Sequence, residues 1–219
     1  MCIRDRKFPI LHLDLNAKKY ETPADLIAML NQTLEKWEIV YGNEKKDRSP
    51  EERFAYVIER AYEQAGCGVV VLVDEYDKPL LQALDNDALL EDYRKTLKAF
   101  YGVLKSADRY LRFVFLTGVT KFSQVSAFGD LNQLNDISLD YSYATVCGIT
   151  RTELVETFTS EIEEFGRVNK LSAEETVDKM ARQYDGYHFH PKGDGVFNPF
   201  SVLNAFSKRE LGDYLSLIH

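Results

Sequence analysis

Asp74 and Glu75 stand side by side at the end of an unbroken apolar run, Val69 to Val73. Adjacent carboxylates at the tip of a rigid strand suit phosphoryl transfer, which asks little covalent chemistry of a protein. A divalent cation must be held on the phosphate oxygens and a water must be aimed. In that chemistry Asp74 holds magnesium, directly or through a bound water, and Glu75 orients and deprotonates the attacking water. Five apolar residues followed by Asp-Glu is a short pattern, and it also describes a core strand whose exit loop simply begins with two acids. A second apolar segment, Leu111 to Leu116, leads to Thr117, Thr120 and Lys121. The other half of a nucleotide site, Gly-x-x-x-x-Gly-Lys-[Ser/Thr], does not occur in the sequence, and there is no Gly-Lys pair anywhere in its 219 residues.

These residues depend on the elements that carry them. Phe8 to Asn16 alternates apolar and polar residues and reads as a strand. Thr22-Pro23-Ala24-Asp25 supplies an N-cap, a first-turn proline and an early acid. A helix follows with Leu26, Ile27, Leu30, Leu34, Trp37 and Tyr41 on one face. Ser49-Pro50-Glu51-Glu52 has capping-box spacing and opens an amphipathic helix through Phe54, Val57, Ile58, Ala61 and Tyr62, which Gly66 can close. The unbroken run of valine and leucine from Val69 to Val73 predicts a parallel strand buried on both faces. Asp87 to Lys105 carries a helical stripe from Leu90 to Leu104, and Leu111 to Leu116 predicts a second buried strand. Strand, helix, strand, helix, strand predicts a right-handed α/β unit, with ligands beyond the carboxyl ends of its strands. After Gly148, two further capping boxes (Thr150 to Glu153, Ser172 to Glu175) and Asn198-Pro199 each open a short helix of a small helical appendage.

Composition narrows the class. The chain is 45% hydrophobic and 28% charged, enough for a real core. Its formal net charge of -8 argues against non-specific binding to nucleic acid or anionic membranes, which need a basic field. Three cysteines, Cys2, Cys67 and Cys147, are too few and too dispersed for a disulfide framework or a zinc site. No apolar stretch approaches the ~20 residues of a membrane span. The expectation is a soluble cytoplasmic protein without membrane association. Residues 1–6 (MCIRDR) and 215–219 (LSLIH) match translations of the two strands of one transposon-end DNA used in sequencing, so both read as adapter scars around a native segment of 7–214.

Five blocks, VVVLVDEYDKPLL, FVFLTGVTKFSQVS, LNDISLD, ATVCGIT and YDGYHF...VFNPFSVLNAF, together resemble the AAA-ATPase-like family. Its members often carry a PD-(D/E)xK nuclease-like domain towards the C-terminus. The resemblance implies an additional-strand P-loop NTPase core, partial here over 7–147, and a helical lid over 148–214. It implies that Asp74 and Glu75 form the Walker B element, that Thr117 occupies the sensor position, and that Thr120 and Lys121 could reach the γ-phosphate. The family's cofactors are ATP and Mg2+. Its phosphate loop precedes the strand that corresponds to Phe8–Asn16, so the sequence is expected to lack that loop and to bind neither cofactor tightly. The implied activity is ATP hydrolysis that moves the lid and controls an attached effector acting on nucleic acid. The alternative is an interaction scaffold that keeps the fold without hydrolysis. The resemblance leaves oligomeric state open. It also places the lost strand beside Leu111–Leu116, leaving that edge bare, any strand near Ala144–Cys147 without its neighbour, and the protein poorly soluble.

Other residues invite plainer readings. His188 and His190 lack a third ligand at a convincing spacing for a metal. Tyr184 to Tyr187 reads as a turn in which Gly186 supplies an unusual φ. Asp77 and Lys78 either reach a partner subunit or, as the favoured reading, pair on a solvated loop. Asn132, Asn135 and Asp136 could line a cleft or simply be exposed. Neither a nuclease motif nor a Gly-x-Ser-x-Gly elbow is present.

Overall fold

The computed structural model describes residues 7–16, 18–44, 47–119 and 134–214. They fall in two compact units, Met1–Asn135 and Asp136–His219.

In the first unit three strands, β1 (Ile10–Asp14), β2 (Val69–Asp74) and β3 (Leu111–Leu116), form a parallel sheet in the order β1-β2-β3. Between β1 and β2 lie α1 (Pro23–Tyr41) and α2 (Pro50–Ala65); between β2 and β3 lie α3 (Lys78–Gln82) and α4 (Asp87–Ser106). The expected start signals operate. The Asp25 and Glu52 carboxylates accept from the Thr22 and Ser49 backbone N–H groups, and Gly66 closes α2 in the left-handed region at φ 63°. The short helix α3 carries no capping signal, because Asp77 at its N-cap makes no cap bond.

The two crossovers run in the same direction across the sheet, and right-handed connections then place their helices on one face. Leu11, Leu13, Val69, Val71 and Val73 accordingly share one core with Leu30, Phe54, Tyr93 and Leu97. Rings of three helices stack through it, Trp37 on Phe54 at 5.6 Å and Phe54 on Phe100 at 4.5 Å. The other face carries Ile10, Val70, Leu72, Phe113 and Phe115, of which Ile10 is 57% and Phe113 54% exposed. The expectation that β2 and β3 are buried on both faces is therefore corrected. Among the described residues only one face is covered by helices, and an apolar run looks the same whether or not its second face is packed.

Arg53 of α2 reaches Glu38 of α1 through two 2.7 Å hydrogen bonds, with a third to Asn31. Both charged side chains are almost wholly excluded from water. The Glu38 hydrogen bonds and charge push the guanidinium's pKa upward against the opposing effect of burial.

The second unit contains α5 (Arg151–Thr157), α6 (Thr159–Asn169), α7 (Ala173–Tyr184), an antiparallel ribbon of β4 (Asp185–Tyr187) and β5 (Val196–Phe197), and α8 (Pro199–Lys208). Thr150, Ser172 and Asn198 cap α5, α7 and α8 as their spacing predicts. Helix α6 was not legible, since Phe158 at its N-cap offers no side-chain bond. Leu154, Phe165, Met180, Phe197 and Val202 form this unit's own core. Two expectations are corrected. Gly186 lies in β4 without a positive φ, because the ribbon needs only extended backbone there. Ala144–Cys147 is turn rather than strand, following a 3-10 turn at Tyr141–Tyr143.

Candidate active site at the carboxyl edge of the sheet

The register of the three strands determines what meets at their carboxyl ends. Asp14 is the partner of Asp74, and the Thr117 N–H donates to the Val73 carbonyl at 2.8 Å, one step beyond the Leu116–Val73 pair. Side chains alternate along a strand. Asp14, Asp74 and Thr117 therefore form a row on the uncovered side of the sheet. Thr117 Oγ1 donates to Asp74 Oδ1 at 2.5 Å. Asp14 Oδ1 accepts from the Asn16 N–H at 2.8 Å, and the Leu15 N–H donates to the Asp74 carbonyl at 3.1 Å.

Glu75 follows at φ 55°, a left-handed conformation uncommon for a residue other than glycine. The Lys78 N–H donates to the Glu75 carbonyl at 2.9 Å, closing a tight turn that throws the chain back from the sheet edge. Such conformations persist only where the surroundings over-determine them, and they cluster at functional sites. The half-buried Glu75 carboxylate makes no hydrogen bond or ion pair with the described residues.

Two residues of this edge escaped the sequence reading as site residues. Asp14 was hidden because only the pairing of strands 60 residues apart brings it beside Asp74; the polar residue ending an alternating strand was its one signal. Asp77 is corrected from a solvated loop residue to a wholly buried one. Its Oδ1 accepts from the Val119 N–H at 3.2 Å, because the loops after β2 and β3 are packed together. The Tyr76 N–H likewise donates to the Thr117 carbonyl at 2.9 Å. Beneath them Tyr101, fully buried, directs its hydroxyl to the Tyr76 carbonyl at 3.5 Å. Burial first, then the neighbouring Tyr20 and Asp77, push that phenol's pKa well up. Of the residues expected to act, Asp74, Glu75 and Thr117 share one edge, while Thr120 and Lys121 lie outside the described residues.

His190 Nδ1 accepts from the Lys192 N–H at 3.1 Å, and its ring stands edge-on to Tyr141. Among the described residues no three His, Cys, Asp or Glu side chains are grouped to hold a metal ion. Asn135 and Asp136 are exposed, and Asn132 lies outside the described residues. No helix among the described residues is long and apolar enough to cross a membrane.

A parallel α/β sheet with acids gathered at its carboxyl edge is the class that fold and site define. Residues 2–128 match the family described as "Predicted AAA-ATPase", and the chain belongs to this AAA-ATPase-like family. It is also 35% identical over 209 residues to the "Uncharacterized protein in vnfD 5'region" of Azotobacter chroococcum mcd 1, a match covering 95% of this chain and 38% of that protein. The chain thus spans about two fifths of the length of the curated relative it matches. No solved structure matches it.

Proposed function

We propose that this chain contributes the metal- and water-handling half of a P-loop ATPase site, and that the complete protein hydrolyses ATP with Mg2+. One observation carries the reading: the Thr117 hydroxyl bonds the Asp74 carboxylate at 2.5 Å across the ends of adjacent parallel strands, one residue before the strained Glu75. A hard oxygen donor at an open strand end fits magnesium, which keeps several waters and takes one or two carboxylates besides the phosphate oxygens. Asp74 would hold the ion, with Asp14 beside it on the same row. Bound magnesium would neutralise charge on the transferring phosphoryl group. Glu75, whose carboxylate makes no bond to the described residues, would orient water and accept its proton. Thr117 would hold Asp74 in place and face the phosphates. Thr120 and Lys121, close behind it in sequence, are proposed to reach the γ-phosphate.

Sheet order supports the additional-strand type. A strand added beside β3, returning to β1 by a right-handed crossover, must lay its helix over the open face of Ile10, Leu72 and Phe113. The loop at that strand's carboxyl end would sit next to Asp74 and Thr117, where a phosphate loop belongs. Family membership supports ATP as the nucleotide. In the same reading residues 148–214 are a helical lid whose movement with nucleotide state controls an effector, in the complete protein a domain acting on nucleic acid.

In a complete protein carrying the Gly-Lys-[Ser/Thr] loop, Glu75→Gln is expected to keep ATP binding and stop turnover. Unchanged turnover removes Glu75 from the mechanism. The 219-residue chain alone, titrated with a fluorescent ATP analogue and magnesium, is expected to show no saturable micromolar binding, because it has no Gly-Lys cradle for the phosphates.

A further inference from the structure

We infer that Asp77 is the positioning residue of this edge: its buried carboxylate holds the turn from Thr117 to Val119 and so keeps the Thr117 hydroxyl on Asp74. The purpose of the positioning rests on the nucleotide reading; the contact does not.

The choice of partner is what distinguishes Asp77. It sits at the N-cap of α3, directly before Lys78-Pro79, where an aspartate ordinarily bonds the first free N–H groups of the helix. Its side chain makes no such bond. It points instead to the neighbouring loop and accepts from the Val119 N–H at 3.2 Å, from a position with no exposure to solvent. A carboxylate is costly to bury unless hydrogen bonds compensate, so an acid here that declines the cap has a structural task in the other loop.

Among the described residues the turn from Thr117 to Val119 is held at three points. The Thr117 N–H donates to Val73, the Thr117 carbonyl accepts from Tyr76, and two residues on Asp77 takes the Val119 N–H. The close approach needs glycine between them. A Cβ on Gly118 would lie 2.5 Å from Tyr76 Cε1 and 2.6 Å from Asp77 Oδ1. The two backbone bonds fix where Thr117 starts. Asp77 fixes where the chain goes next, and with it the rotation that sets Oγ1 against Asp74. Lys78, its sequence neighbour, is not needed for any of these contacts.

Amide hydrogen exchange of the 219-residue chain tests the contact. Val119 is 74% exposed and lies outside every helix and strand, so its amide has no other reason to be protected. It is expected to exchange about 10- to 100-fold more slowly than an unbonded amide, the factor that a hydrogen bond to a charged group supplies. An unprotected Val119 amide in the unaltered chain overturns the inference, whatever any variant does. Asp77→Leu removes the acceptor at similar volume and is expected to abolish the protection. Asp77→Asn keeps an acceptor oxygen and is expected to restore most of it. A folded Asp77→Leu protein that retains protection also overturns the inference. In the complete ATPase, Asp77→Leu should lower kcat while the Kd for Mg-ATP stays constant, with Asp77→Asn rescuing kcat. Loss of Val119 protection with an unchanged kcat overturns the positioning role. A complete protein that hydrolyses no ATP sinks the nucleotide reading, while the exchange result still judges Asp77.

Discussion

Replacing Arg53 by methionine strands Glu38 in the interface between α1 and α2. The carboxylate side chain retains only 3% of its exposure and loses both 2.7 Å donors at once. Asn31, the third partner, is half-buried and can turn to water. Removing one member of a buried pair costs about 3–5 kcal/mol. Against a domain stability of about 5–15 kcal/mol this is a large loss. With a urea slope near 2 kcal/mol/M, the midpoint should fall by roughly 1.5–2.5 M. The assay is built in: Trp37, the chain's one tryptophan, is buried beside Glu38 and stacks on Phe54 of α2. Its fluorescence therefore reports the first unit. The partner substitution Glu38→Leu in the Arg53→Met background removes the orphaned charge and should recover stability to within about 1 kcal/mol, because an apolar pair often replaces a buried ion pair at no cost. A midpoint shift in Arg53→Met below roughly 0.5 M at constant slope, or a double variant as unstable as the single, would refute the reasoning.

In the second unit, hydrogen bonds from the backbones of Thr150 and Ser172, and then from their side chains, hold Glu153 and Glu175 below the ordinary value of 4.5. A depressed folded-state value means stabilisation present above pH 4.5 and lost as pH falls through the lower one. Helix content by circular dichroism should decline on that acid limb, and a Glu153→Gln, Glu175→Gln protein should show a flatter one. Phe113→Lys, on the open face of β3, should alter the melting free energy by less than ~0.5 kcal/mol while reducing self-association in light scattering. A large loss of stability would mean that this ring is packed in solution.

Local chemistry made much of the architecture readable. Capping at Thr22, Ser49, Thr150, Ser172 and Asn198 is a contact among residues three or four apart, so spacing alone reveals where those helices begin. Helices α3 and α6 lack this chemistry at their starts, and they were missed for that reason. The apolar runs before Asp74 and Thr117 likewise announced two strands and the edge where their polar ends lie.

Neighbours distant along the chain are another matter. Asp14 meets Asp74 through strand register, Asp77 meets Val119 through the packing of two exit loops, and Arg53 meets Glu38 through the closure of two helices. Each partner choice depends on which surfaces come together, and composition or periodicity in one segment carries no record of it. The open face of the sheet is of the same kind. Residue types alone made β2 and β3 look buried on both sides; two crossovers of one hand and one direction put α1, α2 and α4 on a single side. The amino-acid order by itself determined which segments become helices and strands and where two acids stand. The tertiary structure alone decided which residues those acids meet, because that depends on register, handedness and burial across the whole sheet.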